Sequence, residues 1–414
     1  MTGTSIHVAA DSATRARLAS LHPEAAAFSP EQFDALFARV VWSRLAEPAD
    51  AAAGALIAAL GTGAALDLLV SGTDARSFFE AARIDPTTGI SPRTIAAGIR
   101  RWLPRLDQEA SIADLDHGVA HGMRLVVPGS GLWPSALHDL GDHAPVILWT
   151  RGDPEALSVP SLAVVGARAC TGYGTHVTAE FTDAACAAGA GIVSGAAYGV
   201  DAVAHRTALA ADAPTVAVVA GGADRPYPAA HAQLLERIAG AGAICSEMVP
   251  GSAPTRWRFL MRNRIIAALA NATLVTEAGA RSGSLNTAGH AAEIGRPLGA
   301  VPGPVTSPAS TGCHRLITEY GAALITGADD IRMLLGVDGT DLLPGGERES
   351  HWHRRVIDAL PLRGARSTAD AARLAGLSDE EAGMALAELE ALGQVRRRET
   401  PGADGPAWAL VRRE

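Results

Sequence analysis

The chain has 414 residues, of which 48% are hydrophobic, 19% charged and 4% aromatic, with a formal net charge of −9. That length exceeds a single compact core and predicts two or three domains. All 35 residues in the Lys+Arg total are arginine, which excludes P-loop nucleotidases, lysine Schiff-base enzymes and protein kinases, each of which needs a lysine for its chemistry.

Residues 1–31 read as an N-terminal extension with no apolar stretch and cleavage site of a signal peptide. The longest uncharged runs, 51–66 and 184–200, are alanine-dominated and broken by glycine, so neither reads as a membrane span. A cytoplasmic protein with no membrane partner is expected. Residues 32–112 predict an all-α domain resembling SAM or helix-hairpin-helix modules. Pro30-Glu31-Gln32 opens a helix, and Phe33, Leu36, Phe37, Val40 and Val41 recur at helical spacing. A Gly61-Thr62-Gly63 turn separates two more helices. Such a turn can bind DNA phosphates, but the −6 charge of residues 1–159 favours a packing role.

Residues 113–335 predict an α/β class domain with an extended Rossmann-like, doubly wound parallel sheet. Buried-strand runs such as Leu162-Ala-Val-Val and Thr215-Val-Ala-Val-Val alternate there with alanine-rich helices. Residues 336–350 are rich in Gly, Asp, Pro and Glu and read as a linker. Residues 351–414 predict a winged helix-turn-helix: three helices, at 352–360, 368–375 and 378–392, then two strands around a Pro/Gly-rich tip. Ser378-Asp-Glu-Glu is a capping box for the third helix. That helix carries Asp379, Glu380, Glu381, Glu388 and Glu390 and no arginine, so contact with a protein is as plausible as contact with DNA.

The four cysteines, Cys170, Cys186, Cys245 and Cys313, are too widely spaced for a zinc site or a disulfide framework and read as small buried hydrophobes. Charge is more informative. Residues 160–335 are neutral overall, yet 256–296 holds six arginines against Glu277 and Glu293. An excess of four positive charges within a neutral domain points to a focused anion site.

Five clusters stand at predicted strand ends. Val164-Val-Gly-Ala-Arg168 followed by Thr171-Gly-Tyr-Gly174 offers glycine amides and a bidentate donor, but its spacing does not fit a dinucleotide fingerprint. In the run from Ser194-Gly195 to Asp201 and His205, the last two lie four residues apart, spacing for an acid/base pair or for structural hydrogen bonds. Tyr227-Pro228 places an aromatic ring in a loop, where it can stack on a base or plug a core. Arg256-Trp-Arg-Phe-Leu-Met-Arg262-Asn263-Arg264 interleaves charge with stacking faces, a pattern suited to single-stranded nucleic acid, and has no acid within eight residues. Thr276-Glu277 followed by Arg281-Ser282-Gly-Ser284 forms a candidate anion nest. Within it Glu277 is either a general base or, the favoured reading, an ion-pair partner for arginines.

Taken together and in order, Gly166-Ala-Arg168, Ser194-Gly-x-Ala-x-Gly-x-Asp-x-x-Ala-His205, Tyr227-Pro228, Ser246-Glu247, Arg262-Asn-Arg-Ile-Ile266, Ser282-Gly-Ser284 and Val301-Pro-Gly303 resemble the DNA-processing protein A (DprA/Smf) family, from about Trp133 to Ile331. The resemblance implies a non-enzymatic, cofactor-free and metal-free protein of natural transformation. Such a protein binds incoming single-stranded DNA, associates as a homodimer and loads the RecA recombinase. It places Arg168, Ser194, Gly195, Arg262, Asn263, Arg264 and Ser282 in the DNA pocket, to which the residue patterns above add Tyr227 and Arg256. This sequence departs from the family at Leu260, where proline is common, at Tyr198 in place of a basic residue, at His314 in place of asparagine, and in having no lysine.

Overall fold

Strands buried on both faces are apolar at successive positions, and Ser161–Val165, Gly191–Ser194, Thr215–Val218, Ala243–Ser246 and Ala272–Val275 are buried throughout and apolar apart from single Ser or Thr residues. The computed structural model describes residues 9–85, 89–337, 351–361, 364–391, 393–398 and 407–411. The chain divides into two compact units, 1–338 and 339–414.

The first unit is built on a nine-stranded sheet. In chain order its strands are β1 (Arg124–Val126), β2 (Leu148–Gly152), β3 (Ser161–Val165), β4 (Gly191–Ser194), β5 (Thr215–Val218), β6 (Ala243–Ser246), β7 (Ala272–Val275), β8 (Leu298–Ala300) and β9 (Ala323–Leu324). The spatial order is β1-β2-β6-β5-β4-β3-β7-β8-β9. From β6 to β9 every pairing is parallel, whereas β2 runs antiparallel to β6 and β1 antiparallel to β2. After β3 the chain winds through β4, β5 and β6 in one direction. It then returns by helix Arg256–Leu269 to place β7 on the other side of β3, with Leu162 opposite Ala272 and Val165 opposite Val275. This is the expected doubly wound sheet, and its reversal of strand order lies between β3 and β7. Ligands of such sheets bind outside the carboxyl ends of the strands at that reversal.

Helices precede the sheet. Ser12–Leu21, Pro30–Leu45, Ala51–Leu60, Thr62–Val70, Ala75–Ala82, Pro92–Trp102 and Gln108–Ala120 follow one another. Within the stretch expected as an extension, Leu18 and Leu21 are fully buried. Helix Gln108–Ala120 runs across the boundary expected at 112/113. One core holds Leu18, Phe37, Trp42 and Trp102 together with Trp149 of β2 and Ile244 of β6. Trp42 and Trp102 meet edge to face at 5.2 Å, and the Trp42 indole donates to the Thr62 carbonyl at 3.1 Å. The Gly61-Thr62-Gly63 turn therefore has an internal packing role, its Thr62 hydroxyl also donating to Ala35 O at 2.9 Å. No single described helix is long and apolar enough to cross a membrane. Ala51–Leu60 and Thr62–Val70 pass that test only as a pair, bent by 112°.

The second unit has helices His351–Ala359, Thr368–Ala375 and Asp379–Ala391 and an antiparallel sheet of β10 (Arg366–Ser367), β11 (Val395–Arg398) and β12 (Ala407–Leu410) in the order β10-β12-β11. Trp408 fills its core with Val356, Leu386, Leu389 and Val395. The predicted capping box is present: Ser378 N donates to Glu381 at 2.8 Å and Glu381 N to Ser378 Oγ at 3.2 Å. The Pro/Gly-rich tip lies outside the described residues.

The four cysteines are free thiols; Cys245 and Cys313 are buried and Cys170 and Cys186 half-buried. Burial pushes the Cys245 and Cys313 thiols up to about 12 and Cys186 up to about 11, so these three stay protonated and unreactive at neutral pH.

Candidate nucleic-acid interface

Past the carboxyl end of β3 the backbone is held from both sides. Ala167 N donates to Glu277 O at 2.7 Å, and its own carbonyl accepts from Val200 N at 3.2 Å. Gly199, at φ +75°, must be glycine, since a Cβ there would run into the Ala167 and Arg168 carbonyls. The segment so fixed projects Arg168 into solvent, where its guanidinium lies over the Phe259 ring at 5.1 Å. Tyr227, from the loop after β5, meets the same ring at 5.4 Å and is itself 48% exposed. Arg168, Phe259 and Tyr227 thus form a cation-and-ring stack drawn from three separate segments.

Phe259 sits in the first turn of helix Arg256–Leu269, which Thr255 caps by accepting from Arg258 N at 3.2 Å. On that turn Arg256 and Trp257 are exposed, Trp257 by 54%. The sequence offered Phe259 as one of two stacking faces, and the structure makes it the centre of the cluster. Arg281 stands exposed on the loop after β7, beside Ser282, whose hydroxyl shares a hydrogen bond with Ser284 at 2.7 Å. Tyr198, half-exposed, packs against His231 at 4.8 Å.

The rest of the expected pocket faces inward. Ser194 is fully buried and its hydroxyl donates to Val164 O at 2.7 Å, stitching β4 to β3. Arg262 is buried beneath Gly195, donating to Gly195 O at 2.9 Å and to Val218 O. Burial pulls its pKa down to about 10, so it remains a cation. Asn263 donates to Asn286 Oδ1 at 3.2 Å and to Gly283 O at 3.4 Å, tying the helix to the loop that carries Ser282. Arg264, 2% exposed, makes a bidentate ion pair with Glu247 at 2.6 and 3.1 Å. Burial raises the Glu247 pKa and Arg264 opposes that rise. Of the residues expected to contact DNA, Arg168, Tyr227, Arg256 and Ser282 reach solvent. Ser194, Gly195, Arg262, Asn263 and Arg264 form the scaffold beneath them.

Two sequence readings change. Glu277 is neither a free base nor an arginine partner: its carboxylate accepts from Thr171 N and Thr171 Oγ1, both at 2.8 Å, and so caps the helix after β3 from outside. The arginine run does have acidic partners, supplied from afar by Glu47 to Arg258 and by Glu247 to Arg264. Asp201 and His205 each bond elsewhere, Asp201 accepting from Ala197 N at 3.2 Å and His205 Nδ1 meeting Thr215 Oγ1 at 2.8 Å. Burial lowers the His205 pKa to about 3, leaving a neutral structural imidazole. Among the described residues no group of three or more His, Cys, Asp or Glu is placed to hold a metal ion.

Residues 124–336 match the family model of DNA recombination-mediator protein A. A DprA-type DNA processing protein of Mycobacterium tuberculosis is 41% identical over 333 residues, covering 76% of this chain and 82% of that protein. The DNA processing protein DprA of Streptococcus pneumoniae is 41% identical over 199 residues, covering 48% of this chain and 70% of its own. The X-ray structure of DprA from S. pneumoniae superposes with a TM-score of 0.56 at 28% identity, over 71% of this chain and 95% of that one. The chain belongs to the DNA recombination-mediator protein A family.

Proposed function

We propose that this protein binds single-stranded DNA without cleaving it, protects it as it enters the cell during natural transformation, and hands it to the RecA recombinase. The observation that carries the reading is the exposed Arg168–Phe259–Tyr227 stack at the strand-order reversal of the parallel sheet. Bases that are free of a duplex expose both faces to stacking, and sequence-tolerant binding follows from ring contacts combined with arginines on the backbone. Arg256 and Arg281 supply the flanking charge, and Ser282 with the amides before helix Ser284–Glu293 supplies neutral phosphate contacts. The engagement of Glu277 by Thr171 weighs against an enzymatic reading with Glu277 as general base, because that carboxylate is already held.

The family membership supports the homodimer and the RecA partner in this proposal, with no cofactor or metal and a cytoplasmic location. We assign residues 32–112 to a helical packing domain, 113–335 to DNA binding and 351–414 to a winged helix-turn-helix. The exposed Asp379 and Glu380 on the third helix of that last unit favour protein contact over duplex DNA.

The test is fluorescence anisotropy of labelled oligo-dT and of a matched duplex at two salt concentrations. Tighter, salt-dependent binding of the single strand is expected. Equal binding of both, or binding indifferent to salt, would remove the reading.

A further inference from the structure

Beside a shared apolar core, two polar contacts join the N-terminal helices to the candidate interface. Glu47 lies in the short loop between helices Pro30–Leu45 and Ala51–Leu60. It accepts from Arg258 Nε at 2.9 Å and Nη2 at 2.8 Å, and from Arg105 Nη2 at 2.7 Å. The loop itself is rigid. Asp50 takes Arg101 at 2.8 Å and the Trp102 indole at 3.0 Å, Ala49 is held at φ +63°, and Arg105 also donates to Leu45 O at 3.3 Å. On the other side, Arg258 lies between Trp257 and Phe259 in the sequence and points away from solvent, its side chain 16% exposed. It also donates to Ala253 O at 2.9 Å. The grip of Glu47 is therefore on the first turn of the helix that presents the stacking faces.

The second contact is His117 of helix Gln108–Ala120, whose Nε2 lies 3.1 Å from Asp224 Oδ2. Asp224 is buried and accepts from Gly251 N at 2.9 and 3.0 Å. Gly222 N donates to Ser252 O at 2.9 Å, and Arg225 donates to Gly251 O at 3.1 Å. These bonds zip the loop that carries Tyr227 to the segment that leads into helix Arg256–Leu269. The two rings that meet at 5.4 Å thus stand on two joined segments, each tied to the N-terminal helices by one polar contact, Arg258 to Glu47 and Asp224 to His117.

From this arrangement we propose that Glu47 and His117 are positioning residues, and that the N-terminal helical region sets the spacing of the Tyr227–Phe259 stack and so the contribution of bases, as opposed to phosphates, to binding. Resting on the single-stranded DNA reading above, the proposal adds a role for helices whose acidic balance favours packing. The sign of its consequence is unusual. Neutralising Glu47 removes a negative charge near a nucleic-acid site, which by Coulomb attraction alone strengthens binding. Loss of positioning weakens it, and only for ligands that have bases.

The experiment compares oligo-dT with an abasic oligonucleotide of the same length, on the full chain, across a salt series. In wild type, oligo-dT binds more tightly than the abasic strand. In Glu47→Gln that ratio falls about tenfold and in His117→Ala about threefold, within the range that stacking supplies, while the salt slope holds steady. His117 is 42% exposed at its side chain, so its substitution leaves folding intact and keeps the test open if Glu47→Gln does not fold. An unchanged ratio in both variants would overturn the proposal. So would a Glu47→Gln protein that binds both strands more tightly with a slope steeper by about one, because that marks Arg258 moving onto a phosphate. A wild-type protein with no preference for the single strand over duplex would instead remove the underlying DNA reading.

Discussion

Helix Arg256–Leu269 has two halves of similar chemistry and opposite fate. Its first turn exposes Arg256, Trp257 and, partly, Phe259 at the end of the sheet; its second half buries Arg262 and Arg264 against the ends of β4, β5 and β6, and Asn263 against the loop after β7. Both halves are arginine-rich, so charge does not separate them. What does is the supply of acceptors: the second half meets two carbonyls and a carboxylate, whereas in the first turn Arg258 is drawn inward by Glu47 and Arg256 stays exposed. An arginine-rich motif can therefore be part internal bolt and part exposed surface within fourteen residues.

The comparison can be broken most severely at Arg264. Arg264→Ala leaves Glu247 buried without its partner and is expected to cost about 3–5 kcal/mol of stability, read as a large fall in melting temperature. A variant that melts like wild type yet loses DNA would instead place Arg264 at the ligand. A smaller effect tests the buried layer without a charge. His205 is neutral in the folded state down to about pH 3 and titrates near 6.5 when unfolded, so its burial is fully tolerated above 6.5 and destabilises progressively as pH falls through that window. His205→Asn should flatten the acid-side stability curve by up to about 1.4 kcal/mol per pH unit between pH 6 and 4, measured by urea unfolding. An unaltered slope would mean that His205 is not the proton-refusing group. The smallest effect belongs to the exposed half. Arg168→Ala should change stability by less than about 0.5 kcal/mol, lower oligo-dT affinity about tenfold and reduce the salt slope by about one. A drop in melting temperature matching that of Arg264→Ala would erase the distinction between the two halves.

The doubly wound sheet was legible because every central strand is a short, mostly apolar run separated by alanine-rich helices, a pattern with few competing folds. The strand-end loops were legible for the same reason: Arg168, Tyr227 and Ser282 lie in the loops that follow those runs. Burial within the Arg-Asn-Arg segment was not legible. It depends on Glu247, Gly195 and Val218, which share no periodicity with the helix, and nothing local marks one arginine as paired and another as free. Glu47 is further from view still. It is 211 residues from Arg258, in a region whose acidic balance reads only as a reason to discount DNA contact. The helical domain looked irrelevant to the interface because its polar contacts to it, through Glu47 and His117, are isolated side chains rather than a charged surface.

The nine-stranded sheet ends on one side at β1, three residues long with Arg124 facing outward, and on the other at β9, only two residues long. Unpaired strand edges are templates on which other chains can add, and their danger grows with length and flatness. Here the long apolar strands are all interior, and each edge offers a foreign strand at most one or two ladder bonds. The exposed rings and arginines thus stand on a sheet that is guarded, along its edges, against polymerising with other copies.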